Sequence, residues 1–107
     1  MNKKIYSEAK KLAKILVDGI DAKQVYLFGS FANGTDNKDS DLDLYVLTSL
    51  ANRNKIDVTK AARRLLINQT KMPIDILVND SIEFENRKDK ISTFEYVVAK
   101  EGLLLYG

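Results

Sequence analysis

Residues 25–47 read VYLFGSFANGTDNKDSDLDLYVL, and in this stretch two apolar runs enclose a polar segment. The first run, Val25–Phe28, consists of residue types that favour strands, and a Gly-Ser pair follows it at once. Residues 33–40 are almost all turn-forming types, which predicts a loop. The second run, Leu42–Leu47, predicts another strand, whose first residues alternate leucine with aspartate. We therefore predict two neighbouring strands that are joined by a polar loop.

The remaining sequence adds helices on both sides of these strands and one further strand. In chain order, apolar spacing and capping signals predict a helix ending near Gly19, a helix over 53–68, a strand over 74–78 that Pro73 begins, and helices over 80–87 and 92–100. An apolar tail, Leu103–Tyr106, follows. This order predicts an α/β (α+β) fold in a single domain, residues 1–107, with helices flanking a sheet of three strands.

The composition of the 107 residues excludes several classes of function. The chain has no cysteine and no histidine, which rules out disulfides, thiolate nucleophiles, zinc fingers and histidine-based catalytic triads. Any metal site must therefore use oxygen ligands, which magnesium, manganese and calcium prefer. No apolar stretch approaches the ~20 residues of a membrane span, and no signal-peptide pattern opens the chain. We expect a cytoplasmic protein that does not bind membranes.

Charge is unevenly distributed along the chain. Residues 1–24 carry six Lys against three acids, and residues 49–72 carry six Lys or Arg against one Asp. Between them, residues 25–48 carry one Lys and four Asp. An acidic stretch between two basic ones is expected for a metal site beside a phosphate-binding surface, although solvated helix faces are basic at least as often. Direct binding of nucleic acid therefore stays open.

Three aspartates are placed where a strand would bring them together. Asp41 and Asp43 are two residues apart, so they face the same side of a strand at a spacing of roughly 7 Å. Such a pair can share a hard cation, whereas an isolated Asp-x-Asp is more often surface decoration. If the first two strands pair antiparallel and a crossover helix brings the third in parallel, Asp75 reaches the same end of the sheet.

The Gly-Ser pair after the first strand lies at this same predicted end. Gly29 permits close approach of a ligand to the backbone, and exposed amides with the Ser30 hydroxyl can hold phosphate oxygens. Taken alone, such a pair is more often an ordinary turn that ends a strand. The combination with the three carboxylates points to a phosphate and metal site more strongly than any one residue does.

The strings LFGSFANG (27–34) and SDLDL (40–44) closely resemble the signature of DNA polymerase β-like nucleotidyltransferases. That signature is Gly-Ser, about ten residues, Asp-x-Asp, and a third acid on a later strand. Ten residues, 31–40, separate the two parts here, and Ile74-Asp75-Ile76 resembles the third-acid strand. The chain length and the closing EGLLLYG (101–107) are similar to the minimal nucleotidyltransferases of that superfamily.

This resemblance implies a mixed three-stranded sheet in the order 1-2-3 and a specific reaction. A nucleoside monophosphate, AMP from ATP in the lead hypothesis, passes from a Mg²⁺-bound triphosphate to a hydroxyl, and pyrophosphate leaves. By resemblance, Asp41, Asp43 and Asp75 are the catalytic and metal-binding residues, with Asp75 also acting as the base. Gly29 and Ser30 would hold the triphosphate.

One position departs from the family pattern. Asn33 stands where the family often has an arginine, so Lys38 of the same loop is our candidate for a substitute contact to the nucleotide phosphates. A plain solvated lysine is the alternative for Lys38. The basic residues of 53–71 present the same choice between a partner-binding surface and an exposed helix face.

The predicted elements use up the chain and leave no separate domain to hold an acceptor. An acceptor site must therefore come from a partner or from self-association, so a homo- or hetero-oligomer is expected. Minimal nucleotidyltransferases pair with HEPN-domain toxins, and some silence the toxin by attaching AMP to a tyrosine hydroxyl. The resemblance thus implies a protein adenylyltransferase that acts as an antitoxin. The alternatives are a non-catalytic antitoxin that covers its partner, and a small-molecule nucleotidyltransferase formed by dimerisation.

Overall fold

The computed structural model describes residues 3–37 and 39–107. In chain order its elements are α1 (Lys3–Ile20), β1 (Gln24–Phe28), α2 (Ser30–Asn33), β2 (Leu42–Thr48), α3 (Lys55–Leu66), β3 (Ile74–Asp80), α4 (Ser81–Arg87), α5 (Phe94–Glu101) and β4 (Leu103–Tyr106). Within the described residues the strands form a four-stranded sheet in the order β3-β2-β1-β4. β1 runs antiparallel to both β2 and β4, and β2 runs parallel to β3. The predicted α/β (α+β) class and the order of the first three strands are confirmed.

The sheet has a fourth strand where the sequence indicated only an apolar tail. β4 lies along the free edge of β1, with Leu103 opposite Leu27 and Leu104 opposite Tyr26. This pairing satisfies backbone N–H and C=O groups that β1 would otherwise expose, and it buries Leu105. A run of four consecutive apolar residues has no alternation, so its pattern does not separate a strand from a tail.

The first helix ends differently from the prediction. α1 continues to Ile20, and the left-handed residue that follows is Asp21, with φ 57°, rather than Gly19. Gly19 serves another purpose, because a β-carbon there would overlap the side chain of Leu65 on α3. The glycine therefore lets α1 and α3 approach each other closely.

The two faces of the sheet are covered by different helix pairs. α1 and α3 cover one face, and the main core there includes Leu12, Leu16, Leu44, Val46 and Leu66. α4 and α5 lie over the other face around a smaller cluster, which comprises Tyr45, Leu47, Phe84 and Val98 with Tyr26 and Phe28 packed against it. β2 is consequently buried on both sides, and Asp43 is the one half-buried residue within it.

Polar side chains fix the starts of α3 and α4. The Asn54 side chain accepts hydrogen bonds from the N–H groups of Ile56 and Asp57 at the start of α3. Asp80 caps α4 in the same way, as its sequence position predicts, and its other carboxylate oxygen accepts the Leu50 N–H at 2.9 Å. Among the described residues, none of the helices combines the length and the apolar character that crossing a membrane requires.

Candidate functional site

The residues singled out from the sequence meet at one end of the sheet. β1 ends at this edge, while β2 and β3 begin there. The strand register places Asp43 opposite Phe28 on one side and opposite Asp75 on the other. Gly29 follows Phe28 directly, so the antiparallel and parallel pairings predicted from the sequence do bring the Gly-Ser turn and the aspartates together.

Asp43 and Gly29 are in very close contact. Gly29 has φ 77° and ψ −154°, a conformation that is essentially restricted to glycine. A β-carbon on this residue would also overlap the Oδ2 atom of Asp43. Glycine is thus required both by the backbone conformation and by the space that the carboxylate occupies.

The environment of Asp43 disfavours its negative charge. Burial is the main cause that raises the pKa of Asp43, and the charges of Asp75 and Asp41 raise it further. Asp41 is exposed immediately before β2, and Asp75 is exposed at the start of the edge strand β3. The three aspartates therefore share one region of negative potential.

Asp75 has a basic neighbour that the sequence did not reveal. Arg63 of α3 places its Nη2 atom 3.8 Å from the Asp75 Oδ1 atom, and both side chains are more than half exposed. α3 packs on the opposite face of the sheet, but β3 is an edge strand, so the long arginine can reach around it. Only the packing of α3 against β3 brings the two residues together, and no local sequence signal reports that packing.

The donor chemistry of the site fits a hard divalent cation. Three carboxylates supply oxygen ligands, and a cation would relieve the mutual repulsion that contributes to the raised pKa of Asp43. Across residues 3–37 and 39–107, however, no group of three or more acidic side chains is gathered closely enough to form a ready metal cage. The three aspartates therefore have the right chemistry and lie at the same end of the sheet. Their carboxylates are nevertheless too far apart, as described, to coordinate one ion together.

A short helix that the sequence analysis did not predict lies between β1 and the polar loop. Ser30–Asn33 forms the short helix α2, and the Gly29 carbonyl accepts the N–H groups of Ala32 and Asn33, both at 3.1 Å. The Asn33 Oδ1 atom accepts hydrogen bonds from the Thr35 hydroxyl at 2.6 Å and from its N–H at 3.2 Å. Asn33 therefore shapes the turn after α2. Lys38, the candidate phosphate contact, lies outside the described residues.

An aromatic pocket adjoins Gly29, and sequence reasoning missed it. Its volume is 170 Å³, and its walls include Phe28, Gly29, Phe94, Val97, Val98 and Gly102. The rings of Phe28 and Phe94 meet edge to face with centroids 5.8 Å apart. Because the walls come from β1, α5 and the start of β4, the pocket exists only once α5 has packed on the sheet.

A polar network holds α5 over this face of the sheet. The buried Asn79 amide donates to the Tyr45 hydroxyl at 3.0 Å and to the Glu95 Oε2 atom at 3.3 Å. The Arg87 Nε atom lies 3.3 Å from the other Glu95 oxygen, which joins α4 to α5. Burial is the main cause that raises the pKa of Tyr45, so its hydroxyl stays protonated and can hydrogen-bond within the network. Phe94 immediately precedes Glu95, so the network anchors the chain directly beside it.

A family model and several solved structures match this chain. The family model described as polymerase beta, nucleotidyltransferase, matches residues 10–107. No curated protein sequence matches the chain. Among solved structures, a candidate nucleotidyltransferase from Sulfolobus solfataricus aligns with TM-score 0.66 and 20% identity over 94% of this chain and 78% of its own.

Two further solved structures are toxin–antitoxin complexes. One, solved with AMP-PNP, aligns with TM-score 0.54 and 25% identity over 94% of this chain and 73% of that chain. The other is the toxin–antitoxin pair MntA–HpeT with two Asp-to-Glu substitutions, with TM-score 0.52 and 23% identity over 91% of this chain and 71% of that chain. The alignments at 20% and 23% identity establish a shared fold.

Proposed function

The chain belongs to the polymerase beta nucleotidyltransferase family, and from this premise we propose that it transfers a nucleoside monophosphate, AMP from ATP, to a hydroxyl group. The observation that carries the proposal is the contact of Gly29 with Asp43, which in turn is in register with Asp75. The contact supports the proposal because a turn whose backbone can approach phosphate oxygens lies beside carboxylates that suit a divalent cation.

Each residue has a role that its chemistry allows. Gly29 and Ser30 hold the triphosphate, because backbone N–H groups of the turn and the Ser30 hydroxyl can donate hydrogen bonds to phosphate oxygens. Asp41, Asp43 and Asp75 hold Mg²⁺, for which carboxylate oxygens are the preferred protein ligands. When bound, the ion supplies positive charge against the triphosphate and the developing charge of the leaving group.

Asp75 acts as the base in this proposal. Its carboxylate takes the proton of the acceptor hydroxyl while the hydroxyl oxygen forms a bond to the α-phosphorus. The bond from the α-phosphorus to the oxygen that bridges to the β-phosphate breaks, and pyrophosphate leaves with the electron pair. The exposure of Asp75 on an edge strand supports this role, because a hydroxyl carried by a large acceptor can approach it.

We propose that the acceptor is a tyrosine hydroxyl on a HEPN-domain toxin, which the chain silences as its antitoxin. Support comes from the relative at 25% identity, which is a toxin–antitoxin assembly studied with AMP-PNP. The open side of the site at Asp75 is compatible with a protein acceptor.

The test is a transfer reaction with a purified HEPN-domain partner, ATP and Mg²⁺, followed by intact-mass measurement of the partner. We expect a mass gain of one AMP moiety, located on a tyrosine by peptide sequencing. Asp43→Asn should abolish the gain, whereas Asp36→Asn, at an exposed acid in the loop between α2 and β2, should retain it. No mass gain with the unmodified chain would refute transfer to this class of partner.

A non-catalytic antitoxin is the second candidate, and two observations favour it. Asn33 lacks the charge of the arginine that the family often has, and its side chain is engaged with Thr35. The aspartates also do not form a ready metal cage among the described residues. Neutralisation of the partner by Asp43→Ala would support this candidate, because binding alone needs no carboxylate at that position.

A further inference from the structure

The aromatic pocket beside Gly29 has the size of a site for one ring system. Its 170 Å³ is several times the ~30 Å³ that a water molecule occupies in the liquid. It is also smaller than the roughly 300–1,000 Å³ of sites that enclose whole drug-sized ligands. A flat ring can therefore enter, while a sugar and phosphates attached to it must lie outside.

The walls of the pocket suit a planar aromatic ligand. The Phe94 ring is 47% exposed, although it contacts both Phe28 and Tyr45 with centroids 5.8 Å apart. Those contacts restrain the ring, and nearly half of the surface of Phe94 stays accessible to a ligand. Exposed aromatic rings are common stacking surfaces for nucleobases. Stacking does not depend on which base is bound, because every base has a flat aromatic face.

Gly29 belongs to both the pocket and the proposed triphosphate site. It lines the pocket together with Phe94, and it also contacts the Asp43 carboxylate. A nucleotide whose phosphates lie at Gly29 would therefore have the pocket directly beside it. We propose that the pocket binds the base of the nucleoside triphosphate, stacked against Phe94, an inference that rests on the proposed function.

Polar groups at the pocket provide partners for the edge of a base. Glu101 and Asn33 also line it. The Asn33 Oδ1 atom is occupied by Thr35, which leaves its amide N–H groups as the donors on that side chain. The Glu101 carboxylate accepts hydrogen bonds. An acceptor and a donor at one rim fit a base that carries an exocyclic amino group next to a ring nitrogen, as adenine does.

Calorimetric titration of AMP-PNP and of inorganic tripolyphosphate, each with Mg²⁺, tests the proposal. The chain should bind AMP-PNP at least about fivefold more tightly than tripolyphosphate, because stacking of a base contributes about 1–3 kcal/mol. Val97→Trp fills the pocket from a partly exposed position and should remove that advantage without changing tripolyphosphate binding. Ala99→Trp, at an exposed α5 position outside the pocket, should behave like the unmodified chain.

The outcomes separate the pocket from the phosphate site. Equal affinities for AMP-PNP and tripolyphosphate in the unmodified chain, or unchanged AMP-PNP binding in Val97→Trp, would overturn the base pocket and leave the proposed function standing. Absence of binding by both ligands, or binding that Asp43→Asn does not weaken, would overturn the proposed function and the pocket with it.

A second measurement follows the base itself and does not require filling the pocket. A triphosphate that carries 2-aminopurine should lose fluorescence on binding as the base stacks on Phe94. Phe94→Leu keeps an apolar side chain at the position, and it should weaken binding about fivefold or more and abolish the quenching. Quenching of equal size in Phe94→Leu would show that the base lies elsewhere.

Discussion

Gly29 lies so close to Asp43 that a β-carbon on residue 29 would overlap the Oδ2 atom of the Asp43 carboxylate. The glycine also has a positive φ, so the sequence Gly-Ser reflects a local backbone requirement and a contact to the neighbouring strand. Any side chain at position 29 must displace Asp43, the most enclosed of the three site aspartates.

Gly29→Ala is expected to lose both stability and nucleotide binding. The backbone strain costs about 1–3 kcal/mol, and displacement of Asp43 removes a proposed ligand for the ion. Gly34→Ala is a useful comparison, because Gly34 has φ 81° but no atom within 4 Å of the position of a β-carbon. Gly34→Ala should lose stability while keeping AMP-PNP affinity, measured by denaturation and calorimetry. Equal loss of affinity in both variants would contradict the role of the Gly29–Asp43 contact.

Asp43→Asn is expected to stabilise the fold near neutral pH. The folded chain holds the Asp43 proton more tightly than the unfolded chain does, since the pKa of this carboxyl is raised. Its contribution is therefore fully stabilising below the unfolded pKa of about 3.9 and is lost as the pH rises through the raised folded pKa. The melting temperature of Asp43→Asn should exceed that of the unmodified chain at pH 7, and the two should converge toward pH 4. A variant less stable at pH 7 would contradict this sign.

Mg²⁺ provides an independent check on the same variant. The ion should raise the melting temperature of the unmodified chain, because a ligand that binds only the folded state stabilises it. This shift should be absent in Asp43→Asn and present in Asp36→Asn. An equal shift in all three proteins would indicate that Mg²⁺ binds elsewhere.

Arg63→Gln is expected to affect the ion more than the fold. Both side chains of the Arg63–Asp75 pair are more than half exposed, and such pairs contribute about 0–1 kcal/mol to stability. The arginine competes with a cation for Asp75, so its removal should tighten Mg²⁺ binding by up to about fivefold. Arg64→Gln is the control, since Arg64 makes no ion pair within the described part of the chain. Weaker Mg²⁺ binding in Arg63→Gln would contradict this competition and would indicate that the arginine holds the Asp75 carboxylate in place for the ion.

Glu95→Ala is expected to destabilise the chain and to weaken AMP-PNP binding together. The variant leaves the buried Asn79 amide without one acceptor and Arg87 without its ion-pair partner, at a cost of about 1–3 kcal/mol. Glu95→Gln retains a hydrogen-bond acceptor and should lose less stability. Chemical denaturation and calorimetry measure the two effects, and full AMP-PNP affinity in a destabilised Glu95→Ala would show that the network does not position Phe94.

The convergence of Gly29, Asp43 and Asp75 was predictable because it follows from local patterns. Alternation within residues 41–47 set the direction of the aspartates, and the length of the helix before β3 required a crossover to a parallel strand. The alternation and the helix length can both be read from the sequence next to Asp43 and Asp75, without knowledge of contacts distant in sequence.

The features that were missed depend on contacts distant in sequence. β4 is defined by the free edge of β1, and its own four apolar residues carry no alternation. The pocket at Phe94 forms only when α5 packs against Phe28 of β1. The Arg63–Asp75 pair forms only when α3 packs beside the edge strand β3. None of these has a periodic signal, so they emerge only from packing.

The pairing of β4 with β1 also bears on the order in which the chain can fold during synthesis. Tyr26 pairs with Leu104, which lies far along the sequence, so both sides of β1 are paired only after β4 has been synthesised. Contacts of such large separation form slowly, and an unpaired strand edge invites association with other chains in the meantime. The strand that precedes the Gly-Ser turn therefore keeps one unpaired edge for as long as β4 has not been synthesised, and slow translation of the segment between them would prolong that exposure.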